Sequence, residues 1–343
     1  MQVTTIGLDI AKSVFQVHGV DRHGKVVLNK RLTRARVLVF FANLPRSTIG
    51  LEACGGAHHW ARALTRLGHD ARLMPPQYVK AYVKTNKHDA ADAEACCEAV
   101  QRPAMRFVPI KSEQQQALLM LHRVRDQLIG QRTATINALR GHLTELGIVA
   151  AQRQAGVRQL LAIIGEVEDG RIPPLAREVL ATLATHLREL ESKLAALDRR
   201  LVGLTRSDEI CRQLSEVPGV GPVIATAFAA TVPDATVFRS GRHLAAWLGL
   251  VPRQHASGGK ERRLGISKRG DGYLRRQLIP SSPGGARALV WRSPGRIAGR
   301  LWAWIEALRA RRPFNVVVAA VANKLARILW ALLSRGEAYR AAA

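Results

Sequence analysis

Four acidic residues in the first third of the chain stand where their side chains could act together. Asp9 closes one apolar run, Ile6-Gly7-Leu8-Asp9-Ile10-Ala11-Lys12, and Glu52 closes another, Ile49-Gly50-Leu51-Glu52-Ala53. Asp89 and Asp92, in Lys87-His88-Asp89-Ala90-Ala91-Asp92, are three positions apart, so on a helix they share one face. A carboxylate inside an apolar strand needs a compensating charge, because an isolated buried ion is strongly disfavoured. A divalent cation supplies that charge, and hard carboxylate oxygens suit Mg²⁺ or Mn²⁺. Two such ions about 4 Å apart can activate an attacking oxygen and stabilise a leaving one at a phosphodiester. Each feature alone has a plain structural explanation, since acidic strand ends are common and Asp-x-x-Asp often marks a solvated helix face. Their order and their elements, taken together, point to one metal site.

A second group of candidates lies late in the chain. In Val217-Pro218-Gly219-Val220-Gly221-Pro222, the turn resembles a helix-hairpin-helix, in which Gly219 and Gly221 would let backbone amides approach a DNA phosphate at the start of the next helix. The alternative is a tight structural turn. From Pro252 to Arg276 the chain carries eight Arg or Lys against two acids, with glycines on either side of the basic runs. Lys260, Arg262, Arg263, Lys268 and Arg269 are the candidate phosphate contacts. Ser257 precedes Gly258-Gly259, which leaves its hydroxyl sterically open, and a serine among cations can attack phosphorus because the cations stabilise the alkoxide and the charged transition state. A serine in a glycine loop more often only turns the chain. Ser240 reads as the cap of the helix that carries Trp247, and Ser267 as a cap for the helix that carries Tyr273 and Leu274.

The elements that must position these residues follow from the pattern. Thr4–Ile10, Val14–Val20 and Val26–Leu32 predict a three-strand meander, the last two joined by the turn Asp21-Arg22-His23-Gly24. Val37–Leu44 predicts a helix, Thr48–Glu52 a strand, Ala57–Leu67 a helix and Ala71–Met74 a strand before Pro75-Pro76. Three meander strands followed by alternating helix and strand match a ribonuclease-H-like order. A helix is predicted over residues 88–100 and a longer one from Ser112. After Pro173-Pro174, Leu183, Leu187, Leu190, Leu194, Leu197, Leu201 and Leu204 recur in alternating steps of four and three, the heptad of a coiled coil. They fit an internal helical hairpin or a seam between two protomers. The fold class expected is α/β plus α, with segments at 1–108, 109–208 (helical, coiled-coil) and 209–343 (mostly helical, with the helix-hairpin-helix and the serine loop).

Composition sets the partner. The formal net charge is +26 over 343 residues, and 47% of residues are hydrophobic, so the chain folds rather than remaining a disordered polycation. Such a surplus, concentrated in the C-terminal third, is matched most readily by nucleic acid, where each neutralised phosphate releases a counterion. Cys54, Cys96, Cys97 and Cys211 show no metal spacing and read as reduced core thiols of a cytoplasmic protein. The N-terminus has no apolar signal-peptide core, and Val316 to Leu333, broken by Asn323, Lys324 and Arg327, reads as a buried helix, so no membrane is expected.

These blocks resemble the DEDD-type transposases of the IS110 family, most closely the IS1111-like subgroup. The resemblance rests on Gly7-Leu8-Asp9-Ile10-Ala11-Lys12, Leu51-Glu52-Ala53-Cys54-Gly55 and Lys87-His88-Asp89-Ala90-Ala91-Asp92-Ala93. It continues through Val217-Pro218-Gly219-Val220-Gly221-Pro222, Leu248-Gly249-Leu250-Val251-Pro252-Arg253-Gln254, Ser257-Gly258-Gly259-Lys260 and Gly265-Ile266-Ser267-Lys268-Arg269-Gly270. The resemblance implies a RuvC-like metal site on Asp9, Glu52, Asp89 and Asp92, with Mg²⁺ or Mn²⁺ as cofactor, and a serine nucleophile at Ser257 that forms a phosphoserine with DNA. It further implies double-stranded DNA and a structured guide RNA from the element as partners. A homo-oligomer, dimer or tetramer, would bring the serine of one protomer to the carboxylates of another, in a cytoplasmic, nucleoid-associated bacterial protein. The chain departs from the family after Leu278-Ile279: a His-Gly-Ala-Arg-like continuation is expected, but Pro280-Ser281-Ser282-Pro283-Gly284-Gly285 stands there and should break a helix. The rival readings are a RuvC-like junction resolvase that uses only the four acids, and a non-enzymatic nucleic-acid binder whose acids are structural.

Overall fold

The computed structural model describes residues 2–84, 88–257, 260–279, 284–291 and 300–340, without the side chains of 255–257 and 260–263. It divides into two compact units, Met1–Glu113 and Gln114–Ala343. In the first, β1 (Thr5–Ile10), β2 (Val14–Val20) and β3 (Val26–Thr33) form the antiparallel meander. α1 (Val37–Ala42) leads into β4 (Thr48–Glu52), then α2 (Ala57–Arg66) into β5 (Asp70–Met74). The five strands line up as β3-β2-β1-β4-β5, with β4 parallel to both β1 and β5. A short α3 (Pro76–Val79) precedes α4 (Asp89–Val100).

Alternation along the strands sorts the two faces of this sheet. Ile6, Leu8, Ile49 and Leu51 are fully buried in one cluster with Val37, Phe41, Trp60, Ala61 and Leu64, residues of α1 and α2. On the other face lie Gly7 and Gly50, register partners across β1 and β4. A Cβ on Gly50 would come within 2.7 Å of the Val100 Cβ and 2.8 Å of the Cys96 carbonyl oxygen, and one on Gly7 would overlap the Ala93 carbonyl and the Cys97 amide. The paired glycines therefore form a floor on which the backbone of α4 rests.

Among the described residues the second unit is helical apart from one hairpin. α5 (Glu113–Glu145), whose first residue falls at the end of the first unit, is followed by α6 (Gln154–Gly165) and α7 (Pro174–Ser207). Leu187 on α7 is buried with Leu139 and Leu143 of α5 and Leu160 and Ile164 of α6, and Asp198 on α7 accepts a 2.6 Å bond from Arg125 on α5. Of the heptad leucines, Leu187 thus packs within the chain, with Leu183 partly buried against the same cluster, and Leu190, Leu194 and Leu201 are buried as well. α8 (Glu209–Ser215) turns into α9 (Pro222–Thr231), followed by α10 (Gly241–Trp247), the antiparallel pair β6 (Pro252–Ser257) and β7 (Lys260–Ile266), and α11 (Gly272–Leu278). α12 (Ala286–Trp291), α13 (Arg300–Arg309) and α14 (Phe314–Arg335) complete the unit. α14 is long and apolar enough to cross a membrane by composition, yet its Val317, Val321, Leu325 and Leu329 are fully buried in the core of this unit.

Three expectations are corrected. The basic stretch after Pro252 is a β-hairpin for much of its length, not a glycine-rich loop: cross-strand pairing overrides a composition poor in apolar residues. Asp271, not Ser267, caps α11, its carboxylate accepting from the Leu274 amide at 2.8 Å. Cys54 is exposed, whereas Cys96, Cys97 and Cys211 are buried. The break after Ile279 is present: α11 stops at Leu278 and α12 starts at Ala286, with Gly285 at a φ of 89°. Residues 280–283 of that departure lie outside the described residues.

Candidate active site

The positions of the four acids follow from the glycine floor. Asp9 and Glu52 lie two residues beyond Gly7 and Gly50, so they share the α4 face of the sheet at the carboxyl ends of adjacent parallel strands. Two strand residues span about 6.6 Å. Asp89 and Asp92 lie four residues before Ala93 and Cys96 on α4, a rise of about 6 Å. With the α4 backbone seated on Gly7 and Gly50, one further turn towards its N-terminus brings this pair level with the strand ends. His88 fixes where the helix begins, its Nδ1 accepting from the Ala91 amide at 3.1 Å. Acidic side chains in that first turn also suit the positive end of the helix dipole.

The electrostatics of Asp9 register these neighbours. Burial, together with the carboxylates of Asp92, Asp89 and Glu52, lifts the Asp9 carboxyl from 3.8 to about 6, although the Ile10 backbone amide opposes the rise. The Cys96 thiol, buried beneath, is pushed up mainly by burial and further by Glu52, Asp9 and Asp92. Among the described residues, no three His, Cys, Asp or Glu side chains already stand at ion-holding distance. Four like charges without a counter-ion repel one another, so a neighbourhood rather than a closed ligand set is what elementary electrostatics favours. The donors nevertheless fit Mg²⁺ or Mn²⁺: hard carboxylate oxygens only, on two strand ends and one helix.

The late candidates are less uniform. Ser257 ends β6 in register with Lys260, the first residue of β7, and His255 and Gln254 stand opposite Arg262 and Arg263. The side chains of Ser257, Lys260, Arg262 and Arg263 lie outside the described residues. Lys268 and Arg269 are exposed on a braced turn. Lys268 adopts a left-handed φ of 55°, and its amide donates to the Gly249 carbonyl at 3.2 Å. The Arg275 guanidinium donates to the carbonyls of Leu248 and Arg269 at 2.9 and 2.7 Å, tying that turn to α11. Gly270, at φ 66°, lies against the Trp247 carbonyl, where a Cβ would not fit. The Ser267 hydroxyl oxygen is buried with no hydrogen-bond partner among the described residues. Ser240 caps α10, accepting from the His243 amide.

Gly219 and Gly221 differ from each other. Gly219 has a φ of 84°, a Cβ there would lie 2.7 Å from Leu289 Cδ1, and its carbonyl accepts from the Gly285 amide at 2.7 Å. At Gly221, the N-cap of α9, a Cβ would meet no described atom within 4 Å. Sequence reasoning passed over Gly7 and Gly50, although Gly-Leu-Asp and Gly-Leu-Glu carry a matching signal: a glycine two residues before an acid on each of two strands.

Comparison with known proteins places these features in context. Residues 211–288 match the transposase IS116/IS110/IS902 family, and residues 6–148 match the DEDD transposases of IS110. The chain is 51% identical to the "Probable family 20 transposase" of Pseudomonas aeruginosa over 99% of both chains. It is 41% identical to the transposase for insertion sequence element IS1111A of Coxiella burnetii, covering 99% of this chain and 92% of that one. The transposase for insertion sequence element IS1328 of Yersinia enterocolitica is 38% identical over 98% of each.

Proposed function

Since the chain belongs to the IS110 family of transposases, we propose that it cleaves and rejoins DNA strands through a ribonuclease-H-like, RuvC-type carboxylate site and a serine nucleophile. The observation that carries this reading is the seating of α4 on Gly7 and Gly50, two residues before Asp9 and Glu52, together with the rise that Asp92, Asp89 and Glu52 cause in the Asp9 carboxyl. Asp9 and Glu52, with Asp89 and Asp92, would hold Mg²⁺ or Mn²⁺. When bound, the ions would polarise the scissile phosphodiester and stabilise the oxygens that enter and leave. The strand order β3-β2-β1-β4-β5 supports the fold assignment.

In this proposal the Ser257 oxygen attacks phosphorus, a phosphoserine ester forms, and the displaced sugar oxygen leaves as a hydroxyl. The hydroxyl of another strand end then displaces the serine and restores it. Lys260, Arg262 and Arg263 of the hairpin, with Lys268 and Arg269, would neutralise the phosphates around that centre. The α8–α9 turn would act as a helix-hairpin-helix, with Gly221 leaving room for the DNA backbone and Gly219 holding the turn against Leu289. The assembly would be a dimer or tetramer, and a structured RNA encoded by the element would select sites by base pairing.

The test is strand exchange on DNA carrying the element's ends. Asp9→Asn and Ser257→Ala should each abolish exchange while leaving DNA binding in place. A Ser257→Ala protein that still cleaves with Mg²⁺ would favour the resolvase reading instead.

A further inference from the structure

α12 presents two different faces. Ala286, Leu289 and Val290 are fully buried in the core of the helical unit. Trp291, one position on, is 71% exposed. Arg287 lies four residues before it, on the same side of the helix. Phe314, the first residue of α14, packs edge-on against the Trp291 ring at 5.6 Å between centroids. The Arg287 guanidinium sits 5.3 Å from the centre of the Phe314 ring and donates to the Asn315 side-chain oxygen at 3.1 Å, which fixes its plane.

Packing does not require an exposed Trp here. An indole in water leaves much of a large apolar area unburied. The surroundings are cationic: Arg311 and Arg312, both exposed, immediately precede Pro313-Phe314. Neither α12 nor the first turn of α14 carries an acidic residue. Exposed rings rimmed by arginines, on a chain of net charge +26, fit a ligand with an aromatic face and a negative backbone. Unpaired nucleobases combine the two, since every base has a π-face and stacking on an aromatic side chain is tolerant of sequence.

We infer that Trp291, Phe314 and Arg287 form a stacking platform for an unpaired base of a single nucleic-acid strand. The inference rests on the nucleic-acid reading above and adds a strand-state preference to it. A base stacks on the free face of Trp291, Phe314 supports the indole from its edge, and the arginines meet the adjoining phosphates. Duplex ends opened during strand exchange and unpaired loops of an RNA are two sources of such bases.

The test uses the full chain and fluorescence anisotropy with labelled oligothymidylate, oligouridylate and a DNA duplex. Trp291→Ala should weaken single-strand binding by about 5- to 150-fold, the range for losing one stacked base, with duplex affinity unchanged. Trp291→Phe should restore most of that loss. A larger loss on oligothymidylate identifies a DNA strand as the ligand, and a larger loss on oligouridylate an RNA. Equal losses on single strand and duplex would overturn the inference, as would no loss on either single strand. A Trp291→Ala protein that falls to a smaller oligomer would also overturn it, because the face would then be a contact between copies. If the wild-type chain bound neither single strand nor duplex, the nucleic-acid reading itself would fail, which separates the two claims.

Discussion

Replacing Asp9 by asparagine should make the metal-free protein more stable while removing its chemistry. The Asp9 carboxyl is raised from 3.8 to about 6, by burial first and then by Asp92, Asp89 and Glu52. The folded state therefore holds this proton more tightly than the unfolded chain. The stability that the proton confers is complete below about pH 4 and is lost as pH rises through about 6. A shift of about 2 units corresponds to about 3 kcal/mol, and because the group is only half-buried, screening brings the net cost of the ionised form to about 1–2 kcal/mol. Asparagine carries no charge and its oxygen can still accept from the Ile10 amide. Calorimetry of the full chain in EDTA should show Asp9→Asn melting about 4–10 °C above wild type at pH 7.5 for the N-terminal unit, with the gap closing near pH 4. Mg²⁺ should raise the wild-type melting temperature and move that of the variant much less. A variant that melts below wild type at pH 7.5, or a gap that persists at pH 4, would show that Asp9 is not repelled by its three neighbours.

Gly50→Ala should cost about 1–3 kcal/mol, because its methyl group would press on Val100 and the Cys96 carbonyl; exchange activity should fall with it as α4 lifts Asp89 and Asp92, and a neutral outcome in urea unfolding would contradict the glycine floor. His122 is buried, bonded to the Tyr273 hydroxyl at 2.9 Å and the Thr226 hydroxyl at 3.1 Å, and burial, with Arg125, lowers its ring to about 4. Its contribution to the helical unit is thus present above pH 6.5 and fades as pH falls towards 4, by about 2–3 kcal/mol; His122→Gln should flatten that part of the stability profile. Neutralising both Lys268 and Arg269 should lower the slope of log K against log salt for duplex binding by about 2, measured by anisotropy across a salt series; an unchanged slope would leave that turn outside the interface.

The sheet was legible because its signals are local. β-Branched runs bounded by Asp21-Arg22-His23-Gly24, Pro45 and Pro75 set β1 to β5 to within a residue or two, and Asp-x-x-Asp told that two acids share a face before any partner was known. What α4 rests on was not legible: Gly7 meets Ala93 and Cys97 some ninety residues on, and no periodicity reports such a contact. The β6–β7 hairpin escaped for a different reason. Its residues, Arg253, His255, Lys260 and Arg262 among them, are charged or polar, so the alternation that reveals a half-buried strand is missing. The α7 heptad was read correctly as helical, but spacing alone could not say that α5 and α6 of the same chain would cover Leu187. Ser267 resembled a helix cap only because Asp271, nearer to α11, was passed over.

The central claim is that Asp9, Glu52, Asp89 and Asp92 form one divalent-metal site. Anomalous diffraction at the manganese edge, from crystals of the full chain grown with Mn²⁺ and a DNA end, tests it most directly. The account predicts a peak held by the Asp9 and Glu52 carboxylates together with at least one of Asp89 and Asp92. Saturating Mn²⁺ that leaves these strand ends without a peak, or a peak ligated elsewhere while strand exchange proceeds, would contradict it.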